Sequence, residues 1–347
     1  MMIKIFQIEN LIVSNVSFSP TNYICYNIKN SCFILDENFQ KMEIEFSENY
    51  FGFIYGNFIW ISNLTTTESV ILDNKLQITK KLNYEGGFSS NYKNFKSDNF
   101  IYPLINFTKN YNNEKYSKIN ILNFEIENQY SFEIGFNGIK LIVNDNFFIS
   151  NNNSDIGLFN FENENIWKIN IKEILEDETV YLHNEILEIN NKLFFIISGQ
   201  EIGHFLYCVD IETGTILYKY EGLFGFLTKD DKYIYSQKFE NILCKINTET
   251  GELEQWNVND LLIENGFESI ADHRTTALNE IVYFTQTIGD NKAKFGLLDT
   301  KKKQLIFKYN FEPKNGGIGK IEVNETRVYI HTQDNTLHIF EKEINEV

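Results

Sequence analysis

One pattern recurs along this chain and restricts its fold more than any other feature. An apolar strand runs into a short polar turn opened by Asp or Asn, and a second strand carrying aromatics follows. It is clearest in Tyr207-Cys-Val-Asp210-Ile-Glu-Thr213-Gly214-Thr-Ile-Leu-Tyr218-Lys-Tyr220 and in Leu243-Cys-Lys-Ile-Asn247-Thr-Glu-Thr250-Gly251-Glu-Leu-Glu-Gln-Trp256. A third copy is Gly296-Leu-Leu-Asp299-Thr-Lys-Lys-Lys303-Gln-Leu-Ile-Phe307-Lys-Tyr309. This is the chemistry of a β-hairpin. The Asp or Asn side chain bonds the turn's own backbone, and Gly takes a conformation that other residues resist.

Weaker copies lie upstream, with turn residues Asp36, Asp73, Asn123 and Asn160, and a half-unit, Thr336–Phe340, comes near the C-terminus. Two further short strands precede several of the hairpins, as Glu185–Ile189 and Leu193–Ser198 precede the one at Asp210. Seven turns spaced by 37 to 52 residues, each within four short antiparallel strands, are the pattern of propeller blades. Over eight units, 347 residues give about 43 per unit, within the usual range. The expectation is an all-β chain: a single β-propeller domain over 1–347, built of four-stranded antiparallel blades. Eight blades follow from this count, and seven is the alternative if the N-terminal hairpin belongs to the closing blade. The last unit lacks an outer strand, and Ile3–Ile8 is the natural donor to close the ring.

The turn sequences resemble the quinoprotein-like (PQQ-like) propeller repeat, whose consensus is roughly Ala-x-Asp-x-x-Thr-Gly-x-x-x-Trp. Asp210-x-x-Thr213-Gly214 matches with Tyr218 in place of Trp, and Asn247-x-x-Thr250-Gly251 matches with Trp256 one residue late. The unit at Asp299 has Lys303 for Gly and Phe307 for Trp. The resemblance covers about residues 185–311 and implies the fold. Proteins with this repeat include redox enzymes, assembly factors and binding proteins, so it does not select among functions. The cofactor enzymes of that type use adjacent cysteines and a calcium-binding Glu/Asn/Asp set. Neither can be mapped here, so no PQQ, other cofactor or metal is expected.

Two inserts interrupt the array. Residues 83–99 are rich in Gly, Ser and Asn and read as a surface loop between units. Residues 257–280 include Asp260–Gly266, a one-turn helix expected to be capped by Asn259 and stopped by Gly266. Residues 172–180 read as another short helix or an acidic loop.

The net charge of −17 argues against nucleic acid as a partner and for a basic protein partner. Lys4, Gln7, Glu9 and Asn10 interrupt any apolar leader, and no stretch has the length of a membrane span. A cytoplasmic protein without membrane contact is expected. Cys25, Cys32, Cys208 and Cys244 show no zinc-ligand spacing and read as buried free thiols.

No catalytic signature is present. Asn315-Gly-Gly-Ile-Gly319-Lys320 lacks the first Gly and the final Ser/Thr of a phosphate loop and reads as a turn between blades. His183, His204, His273, His331 and His338 are scattered, with His331 and His338 placed for neighbouring strands. The cluster with the most chemistry is Asp272-His273-Arg274, because Arg274 and Arg327 are the only arginines, and a guanidinium offers a planar fork to carboxylate or phosphate. These three residues are the candidate ligand or partner site; pairing of Arg274 with Asp272 or Glu268 is the structural alternative. The functional expectation is a non-catalytic protein-binding propeller, in its pointed form an immunity-type protein neutralising a basic toxin. The alternative is an enzyme or small-ligand binder with its site at the central channel.

Overall fold

A computed structural model describes residues 2–12, 16–29, 31–44, 49–63, 68–73, 75–83, 86–87, 99–102, 104–105, 114–132, 139–144, 147–151, 155–200, 202–270, 274–287 and 293–342. Most of insert 83–99 therefore lies outside the described residues. Two compact units form: a larger one of Met1–Asn10, Asn153–Leu158 and Trp167–Val347, and a smaller one of Leu11–Asn152 and Phe159–Ile166.

Among the described residues the strands make eight antiparallel sheets. The N-terminal strand is β1 (Met2–Ile8). In the smaller unit, β2 (Val16–Phe18), β3 (Ile24–Ile28), β4 (Ser31–Leu35) and β5 (Lys41–Met42) follow one another across one sheet. A second sheet is β6 (Tyr50–Tyr55), β7 (Phe58–Asn63), β8 (Glu68–Asp73) and β9 (Ile78–Asn83). A third departs from the four-stranded pattern. Its strands β10 (Gly86–Gly87), β11 (Phe100–Ile101), β12 (Leu104–Ile105), β13 (Glu114–Asn120) and β14 (Ile126–Phe132) lie in the order β10-β12-β13-β11, with β14 also on β13.

The next sheet is β15 (Ile139–Asn144), β16 (Phe147–Asn151), β17 (Asp155–Asn160) and β18 (Asn165–Asn170). In the larger unit come β19 (Tyr181–Ile189), β20 (Lys192–Gly199), β21 (Gly203–Asp210) and β22 (Ile216–Glu221). Then follow β23 (Phe224–Lys229), β24 (Tyr233–Lys238), β25 (Ile242–Asn247) and β26 (Leu253–Asn257). The seventh sheet is β27 (Thr276–Leu278), β28 (Ile281–Gln286), β29 (Lys294–Asp299) and β30 (Gln304–Asn310). The last three strands, β31 (Ile318–Val323), β32 (Arg327–Thr332) and β33 (Leu337–Lys342), take β1 as their fourth, so the donor strand expected from the sequence is in place. Its pairing runs antiparallel from Met2 opposite Lys342 to Ile8 opposite Leu337.

Central strands are buried on both faces, which is why they read as continuous apolar runs. Leu193–Ile197 in β20 is buried throughout. The outer strand β30 alternates exposed and half-buried positions. Sheet-to-sheet cores follow from this. Phe194, Ile196, Leu206 and Cys208 pack with Leu227, Ile234, Cys244 and Ile246. Phe226, Tyr235 and Leu243 pack with Phe267, Phe284 and Leu298. In the smaller unit Cys25, Cys32 and Ile34 meet Ile54, Ile61 and Val70. All four cysteines are buried free thiols, as expected. Burial pushes the Cys208 thiol up to about 12 and Cys244 to about 11.

The turns explain the repeat. Asp210 Oδ1 accepts from the backbone N–H of Glu212 and Thr213 and from the Thr213 hydroxyl at 2.8–3.1 Å. Gly214 follows with φ +71°, and Gly251 holds φ +74° in the next unit. Both glycines also make room for an aromatic ring of the preceding sheet. A Cβ on Gly214 would lie 2.7 Å from the Trp167 ring, and one on Gly251 would lie 2.4 Å from the Tyr218 ring. Trp167 Nε1 donates to Ile211 O at 2.8 Å, and Tyr220 Oη donates to Gly251 O at 2.8 Å. Each Thr-Gly turn thus docks under the outer strand of its predecessor. Lys303 keeps the left-handed conformation without Gly, at φ 54°.

Two local expectations need correction, and a third is borne out. The turn of the third unit is anchored by Asn120, whose side chain accepts from Leu122 N at 2.9 Å and whose backbone N–H closes the hairpin on Glu125 O at 3.0 Å, whereas the Asn123 side chain bonds only Glu125, at that residue's backbone N–H and carboxylate. Helix α2 is Asn259–Glu264, so Asn259 is its first residue and not its cap; Asn257 Oδ1 takes the Asn259 N–H at 2.9 Å. Residues 172–180 form one turn of helix, α1 (Ile171–Leu175), capped by Asn170, followed by an acidic loop. Gly316, at φ +66°, and Gly317 lie between a 3-10 turn, Pro313–Asn315, and β31, as expected of a connecting turn.

Candidate functional site

Of the cluster singled out in the sequence, Asp272 and His273 lie outside the described residues. Arg274 is half-buried just before β27 and is engaged with its surroundings. Arg327, the second arginine, is 6 % exposed and is committed to structure. Its Nε and Nη2 donate to Glu341 Oε1 at 3.3 and 3.2 Å, across the β32–β33 pair.

His331 and His338 do occupy neighbouring strands, but in adjacent register positions: Ile330 pairs with His338, and His331 with Leu337. Successive residues of a strand leave on opposite faces, so the two imidazoles point to different sides of the sheet. His338 sits in a polar knot. Thr332 Oγ1 has two acceptors for its one proton, Asp334 Oδ1 at 2.7 Å and Thr336 O at 3.1 Å. The 3.0 Å contact with His338 Nε2 must therefore be a bond that the imidazole donates. Burial first, and the Lys4 charge second, hold the imidazole down to about 4, so it stays neutral. Among the described residues no three side chains of metal-ligating type converge.

The larger unit does assemble a site that the linear sequence did not disclose. Ser198, at the end of β20, stands between two imidazoles. His183 Nε2 lies 2.7 Å from its Oγ, and His204 Nδ1 lies 2.6 Å on the other side. The hairpins position these groups: Ser198 pairs with His204 across β20–β21 and with Tyr181 across β19–β20. A register irregularity between Leu182 and Ile186 contains His183. Aromatic rings continue the cluster on both sides. Tyr181 stacks on His183 at 5.4 Å, His204 on Phe224 at 5.0 Å, and Phe224 meets Phe239 at 4.2 Å. The two ends are open: Tyr181 is 51 % and Phe239 is 62 % exposed.

The chemistry follows from counting protons. A serine hydroxyl has one, so it donates to one imidazole and accepts from the other. With both imidazoles in the neutral form, one outer ring nitrogen is then an N–H donor and the other a lone pair. Burial disfavours the charged form of His183, and His204 adds to this; Glu185 acts the other way. Ser198 is only 1 % exposed and its hydroxyl is engaged on both sides, which leaves it poorly placed for attack on an electrophile. The arrangement suits recognition rather than nucleophilic attack.

The spacing accounts for the encounter once the hairpin register is known. Ile186 pairs with Phe195, and three residues further along each strand an unbroken register would set His183 opposite Ser198. The compact Gly199–Gly203 pairing sets Ser198 opposite His204.

No family model and no curated protein matches the sequence. Solved structures do match along nearly the whole chain. BamB from Moraxella catarrhalis superposes with a TM-score of 0.55 at 10 % identity, covering 99 % of this chain and 100 % of that one. The computationally designed Ika8 protein gives a TM-score of 0.58 at 12 % identity, covering 96 % and 98 %. With the succession of four-stranded antiparallel sheets, these likenesses show that the chain has a β-propeller fold.

Proposed function

We propose that this chain is a non-catalytic, protein-binding β-propeller of the PQQ-like repeat type, working in the cytoplasm as one domain. The observation that carries the reading is the exposed ring surface between Tyr181 and Phe239. Aromatic side chains clustered at a surface beside polar groups have the composition of protein interfaces, whereas scattered single apolar residues carry no such meaning. The net charge of −17 favours a basic partner. In the pointed form of the reading, that partner is a basic toxin and this chain is its immunity-type antagonist.

Pull-down from native lysate in about 0.1 and 0.5 M salt tests the reading. A specific basic partner should be retained at the lower salt and weakened at the higher, because screening shortens from ~10 Å toward a few ångströms. Absence of any partner at both salts overturns the reading.

A further inference from the structure

We infer that the surface from Tyr181 to Phe239 is a recognition site for an extended cationic peptide segment. In this site the Ser198-bridged imidazoles take a main-chain peptide group, and the Phe224–Phe239 pair takes a Lys or Arg side chain. The inference rests on the protein-binding reading and assigns it a place and a chemistry.

Three observations converge on it. First, the outer nitrogens, His183 Nδ1 and His204 Nε2, make no hydrogen bond among the described residues. Because one hydroxyl proton serves both inner nitrogens, these outer positions form a coupled pair, one donor and one acceptor. A peptide group carries one N–H and one C=O. The pair adapts to either chain direction, since reversing the Ser198 proton exchanges the two roles.

Second, the Phe224 and Phe239 rings lie 4.2 Å apart, and Phe239 leads the β24–β25 turn, ahead of Glu240 and Asn241 at φ 64° and 56°. An exposed ring face attracts a cation. The same molecule already uses such contacts internally, with Lys219 Nζ 4.0 Å from the Phe205 centroid and Lys245 Nζ 3.9 Å from the Tyr233 centroid.

Third, the flanking charge complements a cation. Helix α1 and the loop that leads from it into Tyr181 carry Glu173, Glu176, Asp177 and Glu178 against Lys172 alone, and Lys172 is already paired with Glu178 at 3.0 Å. Glu185 lies within electrostatic reach of His183, and Glu240 follows Phe239. Lys238 is the one base that adjoins Phe239 in sequence. An anionic or purely apolar segment would leave these carboxylates uncompensated.

The test uses the full chain and a defined probe, an acetylated and amidated alternating Gly-Arg hexapeptide, with the Gly-Glu hexapeptide as control. The chain has five histidines, so their ring Hε1 resonances are few enough to follow individually. The Gly-Arg peptide should shift the His183 and His204 signals saturably and leave His338 unmoved, and the Gly-Glu peptide should not. Phe239→Ala, at an exposed position that folding does not require, should weaken binding at least about threefold. Ser198→Ala should weaken it further and uncouple the two histidine shifts. Absence of saturable shifts, equal response to both peptides, or unchanged affinity in Phe239→Ala overturns the inference. The two readings fail separately. A partner that is captured equally well by wild type and Phe239→Ala refutes this site and leaves protein binding intact, whereas no captured partner refutes protein binding itself.

Discussion

Replacing Gly251 by Ala probes the contact that joins one sheet of the larger unit to the next. Two costs add. At φ +74° a residue with a Cβ sits in the left-handed region, at about 1–2 kcal/mol. The new methyl would also lie 2.4 Å from Tyr218 Cζ, so the ring must move, and overpacking of this kind costs about 1–3 kcal/mol. The ring cannot swing away freely, because Tyr218 also meets Tyr220, whose hydroxyl bonds Gly251 O at 2.8 Å. The expected loss is about 2–5 kcal/mol. It should appear in urea unfolding, followed by tryptophan fluorescence, as a lower midpoint at unchanged slope. Pairing the change with Tyr218→Ala separates the terms. With the ring gone, Gly251→Ala should cost only the backbone term, giving a coupling of about 1–3 kcal/mol between two residues 33 positions apart. A cost below about 0.5 kcal/mol, or the same cost in both backgrounds, refutes the docking argument.

Other outcomes can be checked in the same unfolding assay. His338, held down to about 4 against an ordinary 6.5, takes up its proton in the unfolded chain first. Its contribution is complete above pH ~6.5 and is lost as pH falls toward 4; after discounting for screening it is about 2 kcal/mol, and His338→Gln should flatten that stretch of the stability profile. Asp210→Ala removes the acceptor for two backbone N–H groups and the Thr213 hydroxyl, and should cost about 1 kcal/mol. Glu341→Ala leaves the buried Arg327 guanidinium without its carboxylate and should cost about 3 kcal/mol; a loss below 1 kcal/mol would show that the pair is not needed there. A thiol reagent at pH 8 should leave all four cysteines unmodified in the native chain and modify them in urea, because all four are buried and burial also disfavours the thiolates of Cys208 and Cys244.

The fold was legible wherever local chemistry acted alone. Asp36, Asp73, Asn160, Asp210, Asn247 and Asp299 could be found because an Asx side chain closes its own turn, independently of distant contacts. Asn120 and Asn123 are not told apart in the same way, since both side chains bond the turn and Asn120 is set apart by its backbone, whose N–H closes the hairpin on Glu125 O. Phe39, Leu76 and Lys303 hold left-handed conformations that nothing in their chemistry announces; the hairpins on either side impose them. The candidate site followed the opposite rule. Asp272, His273 and Arg274 stood out because they adjoin in sequence, whereas His183, Ser198 and His204 adjoin only once two hairpins are in register. Trp167 carries no local sign of its role for a related reason: its partner, Gly214, belongs to the next sheet.

The pairing of β1 with β33 sets an order of events. Met2 and Lys342 are register partners separated by almost the entire chain, so their contact bears the largest loop-closure entropy in the molecule. Local hairpins can zip as soon as their turns exist, but the last sheet stays three-stranded, with an edge open to other chains, until this strand arrives. β1, synthesised long before β33, can thus be placed only after it, and during that interval the open edge of the last sheet is exposed to association with other copies.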